Sequence, residues 1–416
     1  MDHQACRSRE ALTMRPVTIA GVGMTRFGKL PDKALEELAR EAIWDAIDDC
    51  GVDPRRIAIA YVGNCYAGIL QGQESGRAAT IVRNAGLGGM AMVQVECGTA
   101  SASLALHEAW IAVGSGQYDV ALAIGVEKLY FPGDSARSIA AISTSVERFV
   151  SSEMGLTPLS MLAMDVERLM ERHGWTLEDL ALVAAKNHRL GAMNPRGESQ
   201  VPLTVEEILS APRVIGAMTR PMCASAAVDG AAAAVVCSEE MARRLSRPAV
   251  EIAAFSMTGG RWMDEPELAQ LPGLSTMNLT RELFANAYEH AGIGPEDIGL
   301  FLVHEAISAE ELVAYEVLGL CGPGEGARLI HDGTTELGGV SPCNTDGGLI
   351  GRGHPVGATG LAQVCEAVWQ LRGEAEDRQV RHHGRLPHAA AIQNAGAQTF
   401  SGGEGVGTSL GMVLKR

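Results

Sequence analysis

The sequence predicts an α/β protein made of two similar halves, with a mostly helical domain inserted between them. Two observations lead to this prediction: strand and helix patterns alternate along the chain, and one set of these patterns occurs twice. Alternating strands and helices are typical of βαβ units whose sheets are covered by helices on both faces. We therefore expect mainly parallel sheets and a pseudo-twofold axis between the halves.

The repeated unit lies first in residues 34–63 and again in residues 275–303. Each copy has an amphipathic helix, a glycine stop, a turn and a strand, and a short apolar strand (17–21 or 249–255) precedes it. Three matched positions lie 241 residues apart: Gly51 and Gly292, Pro54 and Pro295, Ile57 and Ile298. Chance similarity within an ordinary α/β enzyme is the alternative, and several matches at one offset argue against it.

A second pair of segments repeats in the same way. Residues 98–113 predict a helix of small residues that stops at Gly114, followed by a strand at 120–125. Residues 357–372 predict a similar helix that stops at Gly373, followed by a strand at 389–393.

The predicted domains follow from these repeats. We expect a disordered leader at 1–15, an N-terminal half at 16–127 plus about 226–245, a loop domain at 128–225, and a C-terminal half at 246–416.

Composition and charge restrict the class of protein. The chain has 416 residues, 46% hydrophobic and 20% charged, so we expect a folded protein with a large core. Only 4% are aromatic and 49 are glycine, which predicts closely packed helices and strands with small side chains. A formal charge of -16 argues against nucleic-acid binding, because phosphate groups need clustered Lys and Arg.

Targeting and cysteine patterns lead to further expectations. No run of about 18 apolar residues occurs, so we expect no membrane helix. Residues 1–15 lack the apolar segment of a secretory signal. The nine cysteines form no CxxC pair, so neither a metal site nor a disulfide framework is expected. Reduced thiols and a cytoplasmic location follow as predictions.

Cys97 is the first candidate for chemistry. It stands in the stretch VQVECGTAS, where a predicted apolar strand ends and the small-residue helix begins. A thiol at a helix N-terminus faces unpaired N–H groups that favour the thiolate, and small neighbours leave room for a substrate carbonyl. A cysteine in a Gly- and Ala-rich stretch is also often a small buried hydrophobic residue, so position alone leaves both roles open.

Two histidines are candidates to assist this thiol. His354 lies in GGLIGRGHPVGATG, at the place in the second half that corresponds to Cys97 in the first. If the halves pack about a twofold axis, the helix N-termini converge and the imidazole can activate the thiol. The stretch lacks the other residues of a nucleotide-binding loop. His304 ends the predicted strand 299–303, where side chains of α/β proteins point to the ligand crevice, although a surface loop position is the alternative.

Four longer stretches carry a family resemblance: VHEAISAEELVAYEVLGLC, GGLIGRGHPVGATGLAQVCEAVWQLRGEA, KNHRLGAMNP and AAVDGAAAAVVCSEE. They closely resemble thiolases of the sterol-carrier-protein type, which include acetyl-CoA acetyltransferase-like proteins. The resemblance extends from about Val17 to the C-terminus. It implies the duplicated thiolase fold, with layers in the order α/β/α/β/α and an inserted loop domain.

The same resemblance implies roles for particular residues. Cys97 would be acylated, His354 would activate it, and His304 would bind a thioester oxygen. Backbone N–H groups of Cys97 and Gly396 would form oxyanion donors. Asn187 and His188 would lie in the CoA pocket.

One departure from the family concerns a second thiol. Thiolases use it as an acid/base for the proton of CoA or of the acetyl carbon, and it comes from a late Cys-x-Gly loop or from a His-Asp-Cys-Phe motif. Here the late loop reads Gln-Asn-Ala-Gly at 393–396, and Ala306 stands at the other position. Cys343, eleven residues before His354, is a possible substitute, although an inert buried cysteine is the simpler interpretation.

The sequence therefore predicts a thiolase-like acyltransferase that cleaves or forms a β-ketoacyl-CoA through an acyl group on Cys97. Acyl-CoA and CoA are the expected substrates, with no tightly bound cofactor or metal, and the protein is expected to form a homodimer or a dimer of dimers. One alternative is an aldolase-like or specialised acyltransferase that works with a small zinc-ribbon/OB-fold partner protein. The other is a non-catalytic subunit, which the presence of Cys97, His304 and His354 disfavours.

Overall fold

The structure is a computed structural model that describes residues 14–416 except 147, 226, 246, 260–275, 396–398, 402–403 and 407. Most of the predicted leader lies outside the described residues. Arg15, at its end, donates hydrogen bonds to the Val113 carbonyl (2.7 Å) and to the Asp119 carboxylate (2.9 Å).

Strands and helices alternate through much of the chain. The strands are β1 Val17–Met24, β2 Ile59–Gly63, β3 Ala91–Val95, β4 Val120–Glu127, β5 Arg213–Ile215, β6 Met218–Thr219, β7 Gly230–Ser238, β8 Val250–Gly259, β9 Leu300–Leu302, β10 Ala389–Ala395, β11 Thr399–Ser401, β12 Glu404–Val406 and β13 Thr408–Lys415. The α-helices are α1 Leu35–Cys50, α2 Ala67–Gln71, α3 Arg77–Asn84, α4 Ser101–Gly114, α5 Ser135–Ser143, α6 Pro158–His173, α7 Leu177–Met193, α8 Val205–Ser210, α9 Glu239–Ala242, α10 Thr276–Ala291, α11 Ser308–Val317, α12 Gly326–His331, α13 Gly348–Arg352 and α14 Thr359–Arg372.

The repeat predicted from the sequence is a repeat of structure. α1 and α10 begin and end 241 residues apart, and so do the short 3-10 helices Pro54–Arg56 and Pro295–Asp297. Both α-helices stop at a glycine in the left-handed region, Gly51 at φ 69° and Gly292 at φ 65°. A residue without a Cβ adopts this backbone at little steric cost, so the glycine ends the helix in both copies.

Nine of the described strands form one sheet in the order β3-β2-β4-β7-β1-β8-β13-β10-β9. β2 pairs in parallel with β3 and β4, and β9 pairs in parallel with β10. The other neighbours are antiparallel, so the prediction of mainly parallel sheets is wrong. The reason lies in the connections that precede two of these strands. β7 follows the inserted segment, and β13 follows the paired strands β11 and β12, so neither strand follows the helical crossover that parallel neighbours require.

The helices cover this sheet in layers. α1 packs on β1 and β7 of the first half, and α10 packs on β8 and β13 of the second half. Between them lie α4, which packs on the first-half strands, and α14, which contacts strands of both halves. The arrangement confirms the α/β/α/β/α layers that the resemblance implied.

Small residues let the two central helices approach each other closely. A Cβ on Gly360 of α14 would lie 2.0 Å from the hydroxyl oxygen of Ser103 on α4, and one on Gly125 would lie 2.5 Å from the Gly357 carbonyl oxygen. Such contacts leave no room for a methyl group. Glycines at these positions therefore allow the close packing of the central layer, whose helices begin after the loops that carry Cys97 and His354.

The segment between the halves packs against the C-terminal half. Apolar side chains of α6 and α7 share one core with those of α10 and α11. α7 also contacts α12 and α13. In the part of the chain that the structure describes, no helix has both the length and the apolar character needed to cross a membrane.

Candidate active site

A cavity of about 200 Å³ lies where three loops meet: the loop after β3, the loop after β9 and the loop before α14. Gly98 and Thr99 reach it from the first loop, His304 from the second and His354 from the third. The opposite wall is apolar and comes largely from the inserted segment: Ile142, Pro158, Leu159, Met161 and Leu162. The structure therefore brings the two predicted histidines and the loop of the predicted nucleophile to one cavity.

Cys97 lies in the loop between β3 and α4. The helix begins at Ser101, later than predicted, because Gly98 adopts a left-handed conformation (φ 53°) that interrupts the path from strand to helix. The Cys97 N–H donates to the Ser101 hydroxyl oxygen (2.9 Å). Gly98 and Thr99 line the cavity directly, whereas the Cys97 side chain is partly buried beside the central core.

The electrostatic surroundings of Cys97 do not favour a free thiolate. Burial raises the pKa of the Cys97 thiol, a hydrogen bond with Thr408 opposes this, and the nearby Glu96 carboxylate raises it further. The expectation of a lowered pKa from a helix N-terminus is therefore wrong for the free protein. A protonated thiol needs an adjacent base before it can attack a carbonyl.

His304 and His354 meet edge to face. Their ring centroids lie 5.3 Å apart with an angle of 86° between the ring planes. Burial and the nearby Arg352 guanidinium lower the pKa of His304 to about 3. Burial also places the pKa of His354 well below the ordinary value, and His304 and Arg352 act in the same direction. Both imidazoles are therefore neutral at physiological pH.

The tautomer of His354 follows from its hydrogen bonds. The Thr359 hydroxyl donates to the Pro355 carbonyl oxygen (3.2 Å), so its oxygen is free to accept from His354 Nδ1 (2.6 Å). With the proton on Nδ1, the lone pair lies on Nε2. A neutral imidazole in this tautomer can receive a proton from a thiol.

His304 has the properties of a hydrogen-bond donor to a ligand. Its backbone N–H donates to Gln393 Oε1 (2.9 Å), which holds the residue at the cavity wall. In the described part of the chain, its buried ring nitrogen Nδ1 has no hydrogen-bond partner. A neutral ring carries one N–H, which is what the oxygen of a thioester needs.

Two family models cover most of the chain. One described as "Thiolase, N-terminal domain" matches residues 17–208, and one described as "Thiolase C-terminal domain-like" matches residues 260–401. The chain belongs to the thiolase family. The resemblance noted in the sequence is thus confirmed.

Curated relatives in this family align over nearly the whole domain. The chain is 38% identical to an acetyl-CoA acetyltransferase of Methanothermobacter thermautotrophicus, over 88% of this chain and 94% of the relative. It is 33% identical to the benzoylsuccinyl-CoA thiolase subunit BbsB of Thauera aromatica, over 88% and 91%. It is also 33% identical to sterol carrier protein 2 of Bos taurus, over 88% of this chain and 68% of that protein. These matches confirm a thiolase-family acyltransferase.

Solved structures agree with the fold. An Ltp2-ChsH2(DUF35) aldolase superposes with a TM-score of 0.76 at 25% identity, covering 97% of this chain and 99% of that one. An acetyl-CoA acetyltransferase from Syntrophomonas wolfei superposes with a TM-score of 0.71 at 20% identity, covering 97% and 99%. The duplicated thiolase fold is therefore confirmed.

Some residues predicted for the site of this thiolase-family protein lie elsewhere. Cys343 is fully buried in the core shared with the inserted segment, and burial raises its pKa well above the usual value. It does not line the cavity, which favours the simpler interpretation of an inert buried cysteine, and its role as a substitute acid/base stays a prediction. Asn187 is also fully buried and donates to Glu311 Oε2 (2.6 Å), so it supports a buried polar network, and its place in the CoA pocket stays a prediction.

Two further predictions have no test in the structure. Both ring nitrogens of His188 have protein partners, the Ser199 hydroxyl (3.2 Å) and the Pro221 carbonyl oxygen (3.0 Å). Its place in the CoA pocket of this thiolase-family protein stays a prediction. Gly396 lies outside the described residues, and its neighbour Ala395 lines the cavity. Among the described residues, no group of three or more His, Cys, Asp or Glu side chains could hold a metal ion.

Sequence reasoning missed two parts of this thiolase-family site. The first is Glu310, in the first turn of α11, whose side chain lines the cavity beside His304. The sequence does contain a signal for it: Glu310 stands three residues after Ile307, which is the spacing of an acidic residue that caps the start of a helix. The second is the apolar wall, which had no signal, since its residues lie far from the motifs in the sequence.

Glu127 connects the two halves of this thiolase-family fold beside the cavity. Its Oε1 accepts hydrogen bonds from Asn64 Nδ2 (2.9 Å) and the Tyr66 N–H (3.2 Å). Its Oε2 accepts from the Cys65 N–H (3.0 Å) and the Gly357 N–H (3.1 Å). Burial raises the pKa of the carboxyl to about 7, against the opposing effect of these bonds. One side chain therefore ties the loop after β2 to the segment that carries His354.

Replacing Glu127 by Gln is expected to destabilise the protein, and most below pH 7, because the raised pKa means that ionisation of the buried carboxyl itself costs stability as the pH rises. The amide nitrogen cannot accept, so two buried donors lose their acceptor at about 1–3 kcal/mol each. The free energy of unfolding in urea measures the effect. Glu296→Gln, which changes an exposed acid, is the control and should leave stability within about 0.5 kcal/mol. Equal free energies of unfolding for the two variants would contradict a stabilising role for the Glu127 hydrogen bonds.

Proposed function

We propose that this protein cleaves or forms the carbon–carbon bond of a β-ketoacyl-CoA, with the acyl group carried on Cys97. The observation that carries the proposal is the cavity that joins the Cys97 loop to two neutral imidazoles with different hydrogen-bonding roles. The family supplies the class of reaction, and this geometry supplies a base and an oxyanion donor for it.

The first half of the reaction uses His354 as the base. The Cys97 thiol gives its proton to His354 Nε2, and the sulfur forms a bond to the keto carbon. The bond between the keto carbon and the α-carbon then breaks, and its electron pair stays on the α-carbon of the departing CoA ester as an enolate. The His304 N–H stabilises the enolate oxygen. A proton must then reach the α-carbon.

The second half transfers the acyl group to CoA. The thiol of a second CoA loses its proton and attacks the thioester carbon on Cys97. The carbon–sulfur bond to Cys97 breaks, and the cysteine sulfur takes back the proton that His354 holds. CoA is therefore a substrate in this proposal, and no tightly bound cofactor takes part.

The acyl group is proposed to lie against the apolar wall. Leu159, Met161 and Leu162 contribute side chains there, and none of the three can hydrogen-bond a polar acyl group. The cavity therefore favours an aliphatic or aromatic acyl group.

A thiolysis assay tests the proposal. Straight-chain, branched and aromatic β-ketoacyl-CoAs are supplied with free CoA, and the two CoA ester products are measured. We expect at least one apolar substrate to be cleaved and to leave a transient acyl adduct on Cys97. Acetoacetyl-CoA, with the smallest acyl group, is expected to be a poor substrate because it gains little binding energy from the apolar wall. Absence of cleavage across the series would contradict the proposal.

A second candidate is an aldolase-like reaction with a partner protein. It is favoured by the absence of a thiol at Ala306 and by two similar proteins, one named as a thiolase subunit and one as an Ltp2-ChsH2(DUF35) aldolase. A retro-aldol cleavage of a β-hydroxyacyl-CoA releases an aldehyde or ketone and consumes no free CoA. Cleavage that proceeds without CoA, with or without a copurifying small protein, would therefore favour this candidate.

We also propose a homodimer through β3. This strand lies at the edge of the described sheet, and its Val93 is 37% exposed. An exposed edge strand presents unpaired backbone groups that can bind the same strand of a second copy.

Light scattering is expected to give about twice the chain mass of 43.8 kDa. Val93→Glu should reduce the mass to that of a monomer, because it brings like charges together across the twofold axis. Val340→Glu is the matched control, since Val340 is 80% exposed and lies outside β3. A monomer in the unmodified protein would contradict the proposal.

A further inference from the structure

The proposed reaction needs a proton carrier that the family's usual positions do not supply. A proton must reach the α-carbon of the departing enolate, and another must leave the thiol of CoA. The positions where thiolases are expected to carry a second thiol are occupied by Ala306 and, two residues before Gly396 in the late loop, by Asn394. Ala306 lines the cavity, and neither an alanine nor an asparagine side chain can act as an acid/base.

A carboxyl group lies beside one of these positions. Glu310 lines the same cavity as Ala306, His304 and His354. Its Oε2 accepts hydrogen bonds from the Ala306 N–H (2.7 Å) and the Ile307 N–H (3.2 Å). These bonds hold the carboxyl against the residue that replaces the expected thiol. They do not use Oε1.

The surroundings allow this carboxyl to exist in both protonation states. Burial raises the pKa of Glu310 to about 7, the two backbone bonds oppose this, and Asp165 on α6 raises it further. The other titratable groups around it are Cys223, whose pKa burial raises to about 11, and the neutral His304 and His354. None of these groups is positively charged at neutral pH, so none of them holds the carboxyl in its ionised form.

We propose that Glu310 is the second acid/base of the reaction and replaces the missing thiol. This inference rests on the proposed function. The protonated carboxyl gives its proton to the α-carbon as the carbon–carbon bond breaks, which leaves a carboxylate. The carboxylate then accepts the proton of the CoA thiol as the sulfur attacks the acyl group on Cys97. Each turnover restores the protonated carboxyl, so proton gain and loss balance.

Glu310→Gln tests the role with little change of shape, because the amide oxygen can still accept from Ala306 and Ile307. Thiolysis of the best substrate found for the unmodified protein is expected to fall by about 10²–10⁴-fold, the usual loss for a general acid/base. Exchange of the α-hydrogens of an acyl-CoA with solvent deuterium should fall by a similar factor. Alkylation of Cys97 by iodoacetamide should continue at the original rate, because its own base is untouched.

Two comparisons separate chemistry from structure. Glu316→Gln changes a buried acid of α11 that accepts a hydrogen bond from the Gly324 N–H and does not line the cavity. Because the amide oxygen can still accept this bond, both rates should stay unchanged. Introducing Ala306→Cys into the Glu310→Gln variant restores a thiol at the family's position. The exchange rate of this double variant should be at least tenfold higher than that of Glu310→Gln alone. In the unmodified protein, the rate of thiolysis should depend on a group with a pKa of about 7. The Glu310→Gln variant should lack this pH dependence.

The outcomes distinguish this inference from the proposed function. If the unmodified protein cleaves no β-ketoacyl-CoA, the function fails. If it does and Glu310→Gln exchanges and cleaves equally fast, only the role of Glu310 fails. Should the Gln variant unfold, Glu310→Asp decides: its shorter carboxyl should retain exchange with reduced thiolysis. Loss of Cys97 alkylation in a folded Gln variant would show that Glu310 only supports the loop, which also overturns the inference.

Discussion

Replacing Cys97 by Ala is expected to lower thiolysis by about 10⁴-fold or more, because no acyl intermediate can then form. Mass spectrometry of the unmodified protein with substrate and no free CoA should show an acyl adduct on Cys97. The adduct should be absent from the variant. Binding of CoA should change little, since the thiol contributes to the chemical step and not to recognition of the nucleotide.

Other cysteines provide the controls for this result. Cys321 is partly exposed, but burial and nearby acidic groups raise its pKa to about 12, so Cys321→Ala should retain full activity. Cys6 lies outside the described residues and is best replaced by Ser in every variant. Iodoacetamide should then label Cys97 before Cys321 and abolish turnover. Activity that survives complete labelling of Cys97 would contradict its role as nucleophile.

Replacing His354 by Ala is expected to lower thiolysis by about 10²–10⁴-fold, because the Cys97 thiol is protonated and loses its base. Burial holds the pKa of His354 well below the ordinary value, so the base stays neutral at pH values where an ordinary histidine becomes protonated. The unmodified protein should therefore show no loss of activity near pH 6 from this histidine. Pre-steady-state acylation of Cys97 is the step to measure, and it should slow by the same factor.

Two variants show whether the effect is specific. Thr359→Val removes the hydroxyl that fixes the His354 tautomer and should slow acylation by about tenfold, since the base remains but its orientation is lost. His290→Ala, at an exposed position of α10, should change nothing. A His354→Ala variant that forms the acyl adduct at the original rate would transfer the role of base to another group.

The departure from the family at Ala306 affects how relatives of this chain are interpreted. A missing thiol suggested a partner protein or a different reaction. The position of Glu310 offers a third explanation, in which the acid/base comes from the next turn of the same chain. Sequence motifs that list only thiols at this position would overlook such a replacement.

Much of the fold could be predicted from the sequence because its signals are local. The repeat of α1 and α10 depends on helical periodicity and on a glycine stop, which act within one turn of the chain. His304 and His354 could likewise be chosen because each stands beside a predicted strand end or helix start. Pairing them required only the assumption of a twofold relation between the halves.

Tertiary structure alone decided the rest, because burial and hydrogen bonding join residues that are far apart in sequence. Strand direction depended on how the inserted segment returns β7 to the sheet, which no local pattern encodes. Burial raises the pKa of Cys343, and it also raises the pKa of the Cys97 thiol where a helix N-terminus had suggested a thiolate. The cavity wall and the place of Glu310 beside Ala306 exist only after α6 and α11 pack around the two halves, since a shared cavity is a property of the assembled fold.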